Sequence, residues 1–156
     1  MGSRPAVSVI IPTYNRAQLV DRCIRSIEAS GVPNVEVIVV DDGGNDDTAA
    51  VVAGRAIYCR QANSGPARAR NTGVAASSGD LLHFIDSDDE WVGSGVRRLI
   101  SALERHAAVD LVFSDSAMGN DQDGFVSFVD TYGGTAFHGL PAETFDDGLR
   151  VLARQP

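Results

Sequence analysis

Four carboxylates lie within five consecutive residues in the stretch 86–90, DSDDE, which contains no Lys or Arg. Asp86 and Asp88 are separated by one residue and directly follow the apolar run LLHFI, so both can face one site. Carboxylate oxygens in such a pair suit Mg²⁺ or Mn²⁺, ions that substrate phosphates help to hold. We therefore expect a divalent cation and a diphosphate to offset this charge. The alternative is a solvated acidic turn that caps the next helix.

A second pair of carboxylates, Asp41 and Asp42, follows the apolar run VEVIVV. A carboxylate at this position can accept a hydrogen bond from the N–H of a uracil or thymine ring, because charged acceptors bind such donors strongly. The alternative is stabilisation of a turn by the side-chain oxygens, and it applies to Asp41 more than to Asp42. We expect Asp42 to read a base.

Aromatic and basic side chains accompany these acids. Tyr14 follows the first apolar run and could stack on a base through its ring face, with ordinary packing an equal alternative. Arg68 and Arg70 lie near the start of a small-residue helix, where guanidinium groups and the helix N-terminus both favour phosphate oxygens. Residues two apart on a helix point to different faces, so we expect one of them, Arg70, to reach a ligand.

Strand-like and helix-like segments alternate along the chain. Short apolar runs predict strands at Val7–Ile11, Val35–Val40, Ala56–Cys59, Leu81–Ile85 and Asp110–Ser114. Helical spacing and its stop signals predict helices at Ala17–Ser30, Asp47–Ala53, Ala67–Ala76 and Val96–His106. This alternation predicts an α/β fold with a mostly parallel sheet and helices on both faces. The polar segments PTYNR, DDGGNDD, NSGPARARN and DSDDE then fall at the carboxyl edge of the sheet, where such folds bind ligands.

The periodicity weakens beyond Asp115, where glycines at 119, 124, 133, 134 and 139 interrupt the sequence. Strand-like pieces such as FVSFV occur there. The spacing of Phe145, Leu149 and Leu152 predicts a last helix near Ala142–Ala153.

Composition excludes several classes of partner. Thirteen basic and 21 acidic residues give a net charge of -8, which argues against binding to nucleic acid or to an anionic membrane surface. Cys23 and Cys59 form no C-x-x-C pattern, so we expect buried apolar fillers and neither a disulfide nor a zinc site. No apolar run approaches the ~18 residues of a membrane span, and no signal peptide is evident. These features predict a cytoplasmic protein.

Four segments together resemble a known family: VSVIIPTYNR, VIVVDDGGNDDT, NSGPARARNTGVAASSGD and FIDSDD. In this order and at these separations they resemble the family 2 glycosyltransferases of the GT-A fold, from Val7 to about Glu90. The resemblance implies transfer of a sugar from a nucleoside diphosphate sugar to an acceptor hydroxyl. It further implies inversion at the anomeric carbon and Mn²⁺ or Mg²⁺ on the diphosphate. UDP- or dTDP-type donors are favoured, and the acceptor is unknown.

The resemblance also implies a set of donor-binding residues, namely Pro12, Thr13, Tyr14, Asp42, Arg70, Asp86 and Ser87. Within this set, Tyr14 lies beside the base and Asp42 faces the base edge. The segment Asp86-Ser87-Asp88 matches the D-x-D element of the family. Asp88 is expected to contact the metal directly, with Asp86 nearer the ribose or the metal.

The chain departs from the family pattern in three places. Gly44 stands where the family commonly has Ser, and Gly93-Ser94 stands where a Pro-Asp pair is frequent. The later acidic motif, whose Asp or Glu deprotonates the acceptor, has no match. The fallback candidates for this base are Glu143, Asp146 and Asp147.

The missing motif shapes the expected domain organisation. We expect residues 1–6 to be a leader or tag-like segment and residues 7–114 to form the nucleotide-sugar-binding core. Residues 115–156 would be the start of an acceptor-side region that is truncated.

Two other functions are kept as alternatives. The first is a non-catalytic module that binds a nucleotide sugar. The second, more remote, is a phosphatase of the haloacid dehalogenase type, because FIDSDD follows an apolar strand as an aspartyl nucleophile loop would. That class carries its D-x-D after the first strand and a Lys later in the chain, whereas this chain contains no Lys.

Overall fold

The computed structural model of this chain describes residues 6–105, 110–113, 117–120, 124–127, 142–144 and 150–152. These residues fall into two compact units, and the division lies after Gly93. The first unit contains all four of the polar segments that the sequence places at the carboxyl edge of a sheet.

The first unit is built on a four-stranded parallel sheet in the order β3-β2-β1-β4. Its strands are β1 (Val7–Thr13), β2 (Val35–Asp41), β3 (Ile57–Arg60) and β4 (Leu81–Phe84). The connecting helices are α1 (Ala17–Ala29), α2 (Thr48–Val52) and α3 (Pro66–Ala76). This architecture confirms the predicted α/β fold with a mostly parallel sheet. Since the strands run parallel, the loops that follow them meet at one edge.

The centre of this sheet is buried on both faces. All seven residues of β1 are buried. On one face Ile10 and Val40 pack with Ala69 of α3, and on the other face Val9 and Ile11 are fully buried. Burial on both faces explains why the strands read as nearly continuous apolar runs instead of alternating patterns.

Helix α3 approaches β1 closely at Gly73, which is buried against Ile10. A Cβ at position 73 would overlap Cγ2 of Ile10. Glycine is therefore required here by the packing of helix on strand.

Helix α1 buries the face that its sequence pattern predicts. Val20, Cys23, Ile24 and Ile27 are buried. Burial raises the pKa of the Cys23 thiol to about 12, so this residue stays a neutral apolar filler as predicted. Gly31, which follows the helix, has a φ of +67° and ends it in a conformation that other residues rarely adopt.

The second unit contains one helix and five short strands among its described residues. Helix α4 (Gly93–Arg105) begins at the last residue of the first unit. The strands are β5 (Leu111–Phe113), β6 (Ala117–Asn120), β7 (Gly124–Ser127), β8 (Ala142–Thr144) and β9 (Arg150–Leu152). They form an antiparallel sheet in the order β5-β9-β8 and an antiparallel pair β6-β7. No helix in the described part of the chain is long and apolar enough to cross a membrane.

The predicted last helix is wrong. The structure has two antiparallel strands within Ala142–Ala153, with Ala142 opposite Leu152. Three apolar residues at helical spacing were the whole basis of that prediction, and Gly148 within the window weakens a helix. Pairing between β8 and β9, which local periodicity does not reveal, decides the structure here. His106, predicted as the last residue of the preceding helix, lies outside the described residues.

Candidate functional site

A crevice of about 450 Å³ lies at the carboxyl edge of the sheet in the first unit. Ligand sites commonly measure roughly 300–1,000 Å³. The crevice is lined by Pro12, Thr13, Tyr14, Arg16, Asp42, Pro66, Ala69, Arg70, Asp86, Ser87 and Asp88. Every donor-binding and metal candidate named from the sequence is in this set. The structure thus brings these residues together, while their individual roles stay predictions.

The convergence follows from the hydrogen bonds that extend the sheet. The backbone N–H of Asp42 donates to the carbonyl of Thr13 at 2.8 Å, and that of Ile85 donates to the carbonyl of Ile10 at 3.2 Å. Each bond ties the end of a neighbouring strand to β1. Asp42 and the loop 86–88 therefore leave the sheet on the two sides of β1.

Asp42 is a buried and fixed carboxylate, with a residue exposure of 5%. Its Oδ1 accepts hydrogen bonds from Nε2 of Gln61 at 2.7 Å and from the backbone N–H of Ser64 at 2.9 Å. Its Oδ2 accepts one from the backbone N–H of Gly65 at 2.8 Å. Burial acts to raise the pKa of Asp42, but these three donors outweigh burial and lower the pKa below its ordinary value. Asp42 is therefore ionised at neutral pH.

Asp41 stabilises the turn that follows β2. Its Oδ1 accepts a hydrogen bond from the backbone N–H of Gly44 at 2.7 Å, and its Oδ2 accepts one from the Tyr58 hydroxyl at 2.6 Å. Burial and the neighbouring Asp41 carboxylate raise the pKa of Tyr58 to about 12. Asp41 is not among the residues that line the crevice. The turn-stabilising alternative is thus the structural role of Asp41.

Gly44, the departure from the usual Ser, is packed tightly in this turn. A Cβ at position 44 would lie 2.9 Å from Oδ1 of Asp41 and 3.0 Å from Oδ1 of Asn15. Asn15 in turn accepts a hydrogen bond from the backbone N–H of Asn45 at 2.8 Å. A side chain at position 44 would therefore require both of these hydrogen-bonded groups to move.

Arginines from other elements pair with the acidic loop. The ion pairs are Asp86 with Arg70 at 2.5 Å, Asp88 with Arg16 at 2.9 Å and Glu90 with Arg22 at 3.0 Å. We expected a cation and a diphosphate to be needed to offset this charge, because the loop itself contains no basic residue. In the structure, side chains distant in sequence offset most of it. The exception is Asp89, whose pKa is raised by burial and by the charges of its acidic neighbours.

The acidic loop could share a metal ion with a ligand. The side chains of Asp86 and Asp88 are 54% and 50% exposed, so their oxygens are accessible from the crevice. Within the described ranges, no group of three or more His, Cys, Asp or Glu could hold a metal ion. Mg²⁺ and similar ions accept one or two carboxylates when substrate phosphates and water complete the coordination. The residues fit that kind of shared site, provided that Arg16 and Arg70 release the carboxylates.

Tyr14 and the two arginines of α3 differ in whether they line the crevice. Tyr14 is 49% exposed and lines the crevice, which favours an available ring face over core packing. Arg70 lines the crevice, whereas Arg68 is exposed and is not among the lining residues. Pro12, Thr13 and Ser87 are buried at the crevice wall.

His83 and Trp91 pack against each other and are not among the lining residues. Their ring centroids are 5.3 Å apart, and Trp91 is buried. Burial lowers the pKa of His83, so the imidazole is neutral at pH 7. Both residues therefore pack in the interior of the first unit and do not line the crevice.

The fallback candidates for an acceptor base belong to the second unit. Glu143 lies in β8. Asp146 and Asp147 lie outside the described residues. The role of each stays a prediction.

Two residues that shape the crevice, Arg16 and Gln61, were not predicted from the sequence. Arg16 follows Tyr14 by two positions in a loop at the carboxyl edge, and that position was a usable signal for a cation. Gln61 lies in a polar loop after β3, and nothing in its neighbours distinguishes it. Its importance follows from its hydrogen bond to Asp42, 19 residues earlier.

Comparison with known proteins identifies relatives of this chain. Residues 8–145 match the family model described as Glycosyl transferase family 2. The chain is similar to the GalNAc(5)-diNAcBac-PP-undecaprenol beta-1,3-glucosyltransferase of Campylobacter jejuni, with 36% identity over 114 residues that cover 67% of this chain and 37% of that protein. The chain spans less than half the length of the curated relatives it matches.

Solved structures with the same fold contain nucleotides. The chain is similar to S. aureus TarS 1-349 in complex with UDP, with a TM-score of 0.60 and 28% identity, covering 65% of this chain and 32% of that one. It is also similar to glucosyl-3-phosphoglycerate synthase from Mycobacterium tuberculosis in complex with Mn²⁺, UDP and glucosyl-3-phosphoglycerate. That match has a TM-score of 0.57 and 27% identity, and it covers 69% of this chain and 42% of the synthase.

Proposed function

Because this chain belongs to glycosyl transferase family 2, we propose that its crevice binds a nucleoside diphosphate sugar for transfer of the sugar to an acceptor hydroxyl. The observation that carries the proposal is the composition of the crevice. One space is lined by an exposed aromatic ring, a fixed carboxylate, two arginines and a pair of exposed carboxylates. The ring can stack on a base, and the fixed carboxylate can accept a hydrogen bond from the N–H of that base. The arginines suit a diphosphate, and the exposed carboxylates suit a divalent cation. The chain would supply the donor-binding part of a longer transferase.

The base end of the crevice is formed by Tyr14 and Asp42. The half-exposed Tyr14 ring offers a face on which a base can stack. Asp42 is ionised and immobile, so it can accept a hydrogen bond from a ring N–H without reorganising.

The phosphate end is formed by Arg16, Arg70 and the start of α3. Pro66, the first residue of this 11-residue helix, lines the crevice, so the positive end of the helix dipole faces the same space. Guanidinium groups match the planar geometry of phosphate oxygens. When a diphosphate and a cation enter, Arg16 and Arg70 can pass from their carboxylates to the phosphates.

Asp86 and Asp88 are the residues that would hold Mn²⁺ or Mg²⁺, with Asp88 the expected direct ligand. Such an ion, when bound, would stabilise negative charge on the leaving diphosphate. The presence of Mn²⁺ with UDP in the M. tuberculosis synthase supports this assignment. The proposed transfer inverts the anomeric carbon, as the resemblance of the four segments implies. The group that deprotonates the acceptor is left unassigned.

The proposal is tested by calorimetric titration of the chain with UDP, dTDP, GDP and ADP, each with and without Mn²⁺. At least one nucleotide should bind more tightly with Mn²⁺, by tenfold or more, and Asp88→Ala should abolish that gain. Asp47→Ala is the matched control, because Asp47 is an exposed carboxylate outside the crevice that makes no side-chain cap to its helix. Equal affinity with and without Mn²⁺ would remove the metal assignment. Failure of all four nucleotides to bind would remove the donor site.

The two alternatives from the sequence differ in what they predict. A non-catalytic binding module would bind the nucleotide sugar but release no nucleotide when acceptors are supplied, and a product assay on the full-length protein distinguishes it. The family match over residues 8–145 disfavours the phosphatase. A cytoplasmic location stays a prediction from the sequence.

A further inference from the structure

Gln61 connects the base-reading carboxylate to helix α3. Its Nε2 donates to Oδ1 of Asp42 at 2.7 Å, and its Oε1 accepts a hydrogen bond from the hydroxyl of Thr72 at 2.5 Å. Thr72 belongs to α3, which packs on the central strands. Both ends of the Gln61 amide are therefore held, and the amide cannot rotate without breaking a hydrogen bond.

The remaining acceptor capacity of Asp42 is small. A carboxylate offers about four acceptor positions, two on each oxygen. Gln61 and the backbone of Ser64 occupy both positions on Oδ1, and the backbone of Gly65 occupies one on Oδ2. One position on Oδ2 is left for a ligand.

One free position suits some bases better than others. Uracil and thymine present a single ring N–H between two carbonyl oxygens, so one acceptor satisfies them. Guanine presents two adjacent donors, N1–H and N2–H, which a carboxylate accepts best with one free position on each oxygen. Because Oδ1 is fully occupied, guanine cannot make that two-point contact. One of its two donors would be buried without an acceptor, which is costly.

Resting on the proposed nucleotide site, we infer that Gln61, held by Thr72, is a positioning residue that makes the site select uracil or thymine nucleotides over guanine nucleotides. It does so by holding the Asp42 carboxylate in an orientation that leaves a base only one acceptor position, on Oδ2. The selecting element lies in the loop behind Asp42 and is not among the residues that line the crevice.

The test compares the affinities of UDP and GDP for the chain in the presence of Mn²⁺. We expect the unmodified chain to prefer UDP by roughly tenfold, the value of one hydrogen bond to a charged group. Gln61→Leu should reduce that preference to near unity, chiefly by strengthening the binding of GDP. Thr72→Val should act in the same direction but less, because the Gln61 amide is then free to turn. It also serves as the second variant if Gln61→Leu does not fold.

Ser64→Ala is the matched control. Ser64 donates to Asp42 through its backbone N–H, while its hydroxyl donates to the carbonyl of Ala62, so removal of the hydroxyl leaves the contact to Asp42 intact. The ratio of UDP to GDP affinity should stay unchanged in this variant. A purely structural role of Gln61 would weaken both nucleotides equally, and that result would overturn the inference. An unmodified chain that binds GDP as tightly as UDP would overturn it too, whereas a chain that binds neither would instead reject the proposed function.

Discussion

The two ends of the crevice hold their carboxylates by different means. Asp42 is buried and receives three hydrogen bonds from neutral donors of the loop 61–65. Asp86 and Asp88 are about half exposed, and each forms an ion pair with an arginine. Three neutral donors fix a buried carboxylate in place, whereas exposed ion pairs contribute only about 0–1 kcal/mol and exchange easily. The carboxylate at one end is thus fixed, and those at the other end can exchange partners.

This difference explains how the acidic loop is tolerated without a ligand. Arg16 and Arg70 neutralise the two carboxylates and line the same crevice. A divalent cation that arrives with a diphosphate brings charges of both signs. In the proposed function, Asp86 and Asp88 would hold the cation while Arg16 and Arg70 would pair with the phosphates. Little net charge has to be moved into or out of the crevice.

The largest predicted effect comes from replacing the fixed carboxylate of Asp42 with a neutral amide. Asp42→Asn should lower the free energy of unfolding by about 2 kcal/mol, because three donors to this buried group lose a charged acceptor and one of them faces an amide N–H₂. It should also weaken UDP binding by tenfold or more. Thermal unfolding and titration measure the two effects. Asp47 is exposed, so Asp47→Asn should change neither the free energy of unfolding nor the affinity for UDP. An Asp42→Asn variant as stable as the parent would show that the loop 61–65 does not depend on this carboxylate.

A smaller effect is expected at the exchangeable end. Arg16→Gln should alter the free energy of unfolding by less than about 1 kcal/mol, since its ion pair with Asp88 is exposed. Without nucleotide, Mn²⁺ should bind a few-fold more tightly, because the ion no longer competes with a guanidinium for Asp88. Electron paramagnetic resonance of free Mn²⁺ measures this.

Arg25→Gln is the control for that experiment, because Arg25 forms an exposed ion pair with Asp21 on the surface of α1. It should leave Mn²⁺ binding unchanged. A decrease of Mn²⁺ affinity in Arg16→Gln would contradict the idea that arginine and metal ion compete for one carboxylate.

The smallest effect concerns Asp89 and its dependence on pH. Burial and the charges of Asp88 and Asp86 raise its pKa in the folded chain, so its ionised form destabilises the fold at neutral pH. That cost disappears as the pH falls through the raised pKa. Asp89→Asn should therefore stabilise the chain by no more than about 0.5 kcal/mol at pH 7, and by nothing near pH 3. Chemical denaturation at the two pH values measures it, and a larger gain at pH 3 would reverse the assigned sign.

Asp42 should show the opposite pH behaviour. Its folded pKa lies below the ordinary value of about 4, so its stabilising contribution is complete above that pH and is lost as the pH falls through the lowered pKa. Lowering the pH should therefore remove a stabilising contribution at Asp42 and a destabilising one at Asp89.

The fold of the first unit was predictable from sequence because its signals are local and strong. The strands β1 and β2 are buried on both faces, so their apolar runs are unmistakable, and α1 buries the residues that its helical spacing picks out. In the second unit, α4 and β5 were predicted in the same way, but the rest lacked such signals. Its strands are three or four residues long, and the pairing of β8 with β9 depends on contacts that no local pattern encodes.

The residues that line the crevice were predictable for a related reason. The hydrogen bonds and ion pairs that they form were not. Parallel strands deliver the loops that follow them to one edge, so polar residues after apolar runs are necessarily brought near each other. Which partners they choose depends on side-chain directions across long separations in sequence. Arg16 and Asp88 are 72 residues apart, and Gln61 and Asp42 are 19 apart. Neither pairing follows from residue type or spacing.

The width of the crevice depends on Gly73, a glycine of α3 that does not line it. Gly73 lets α3 settle directly on Ile10, and the first turn of that same helix carries Pro66, Ala69 and Arg70 to the mouth of the crevice. One added methyl group at position 73 would lift the helix and carry those three residues outward with it. The width of the crevice therefore depends on a position that is not among the residues lining it.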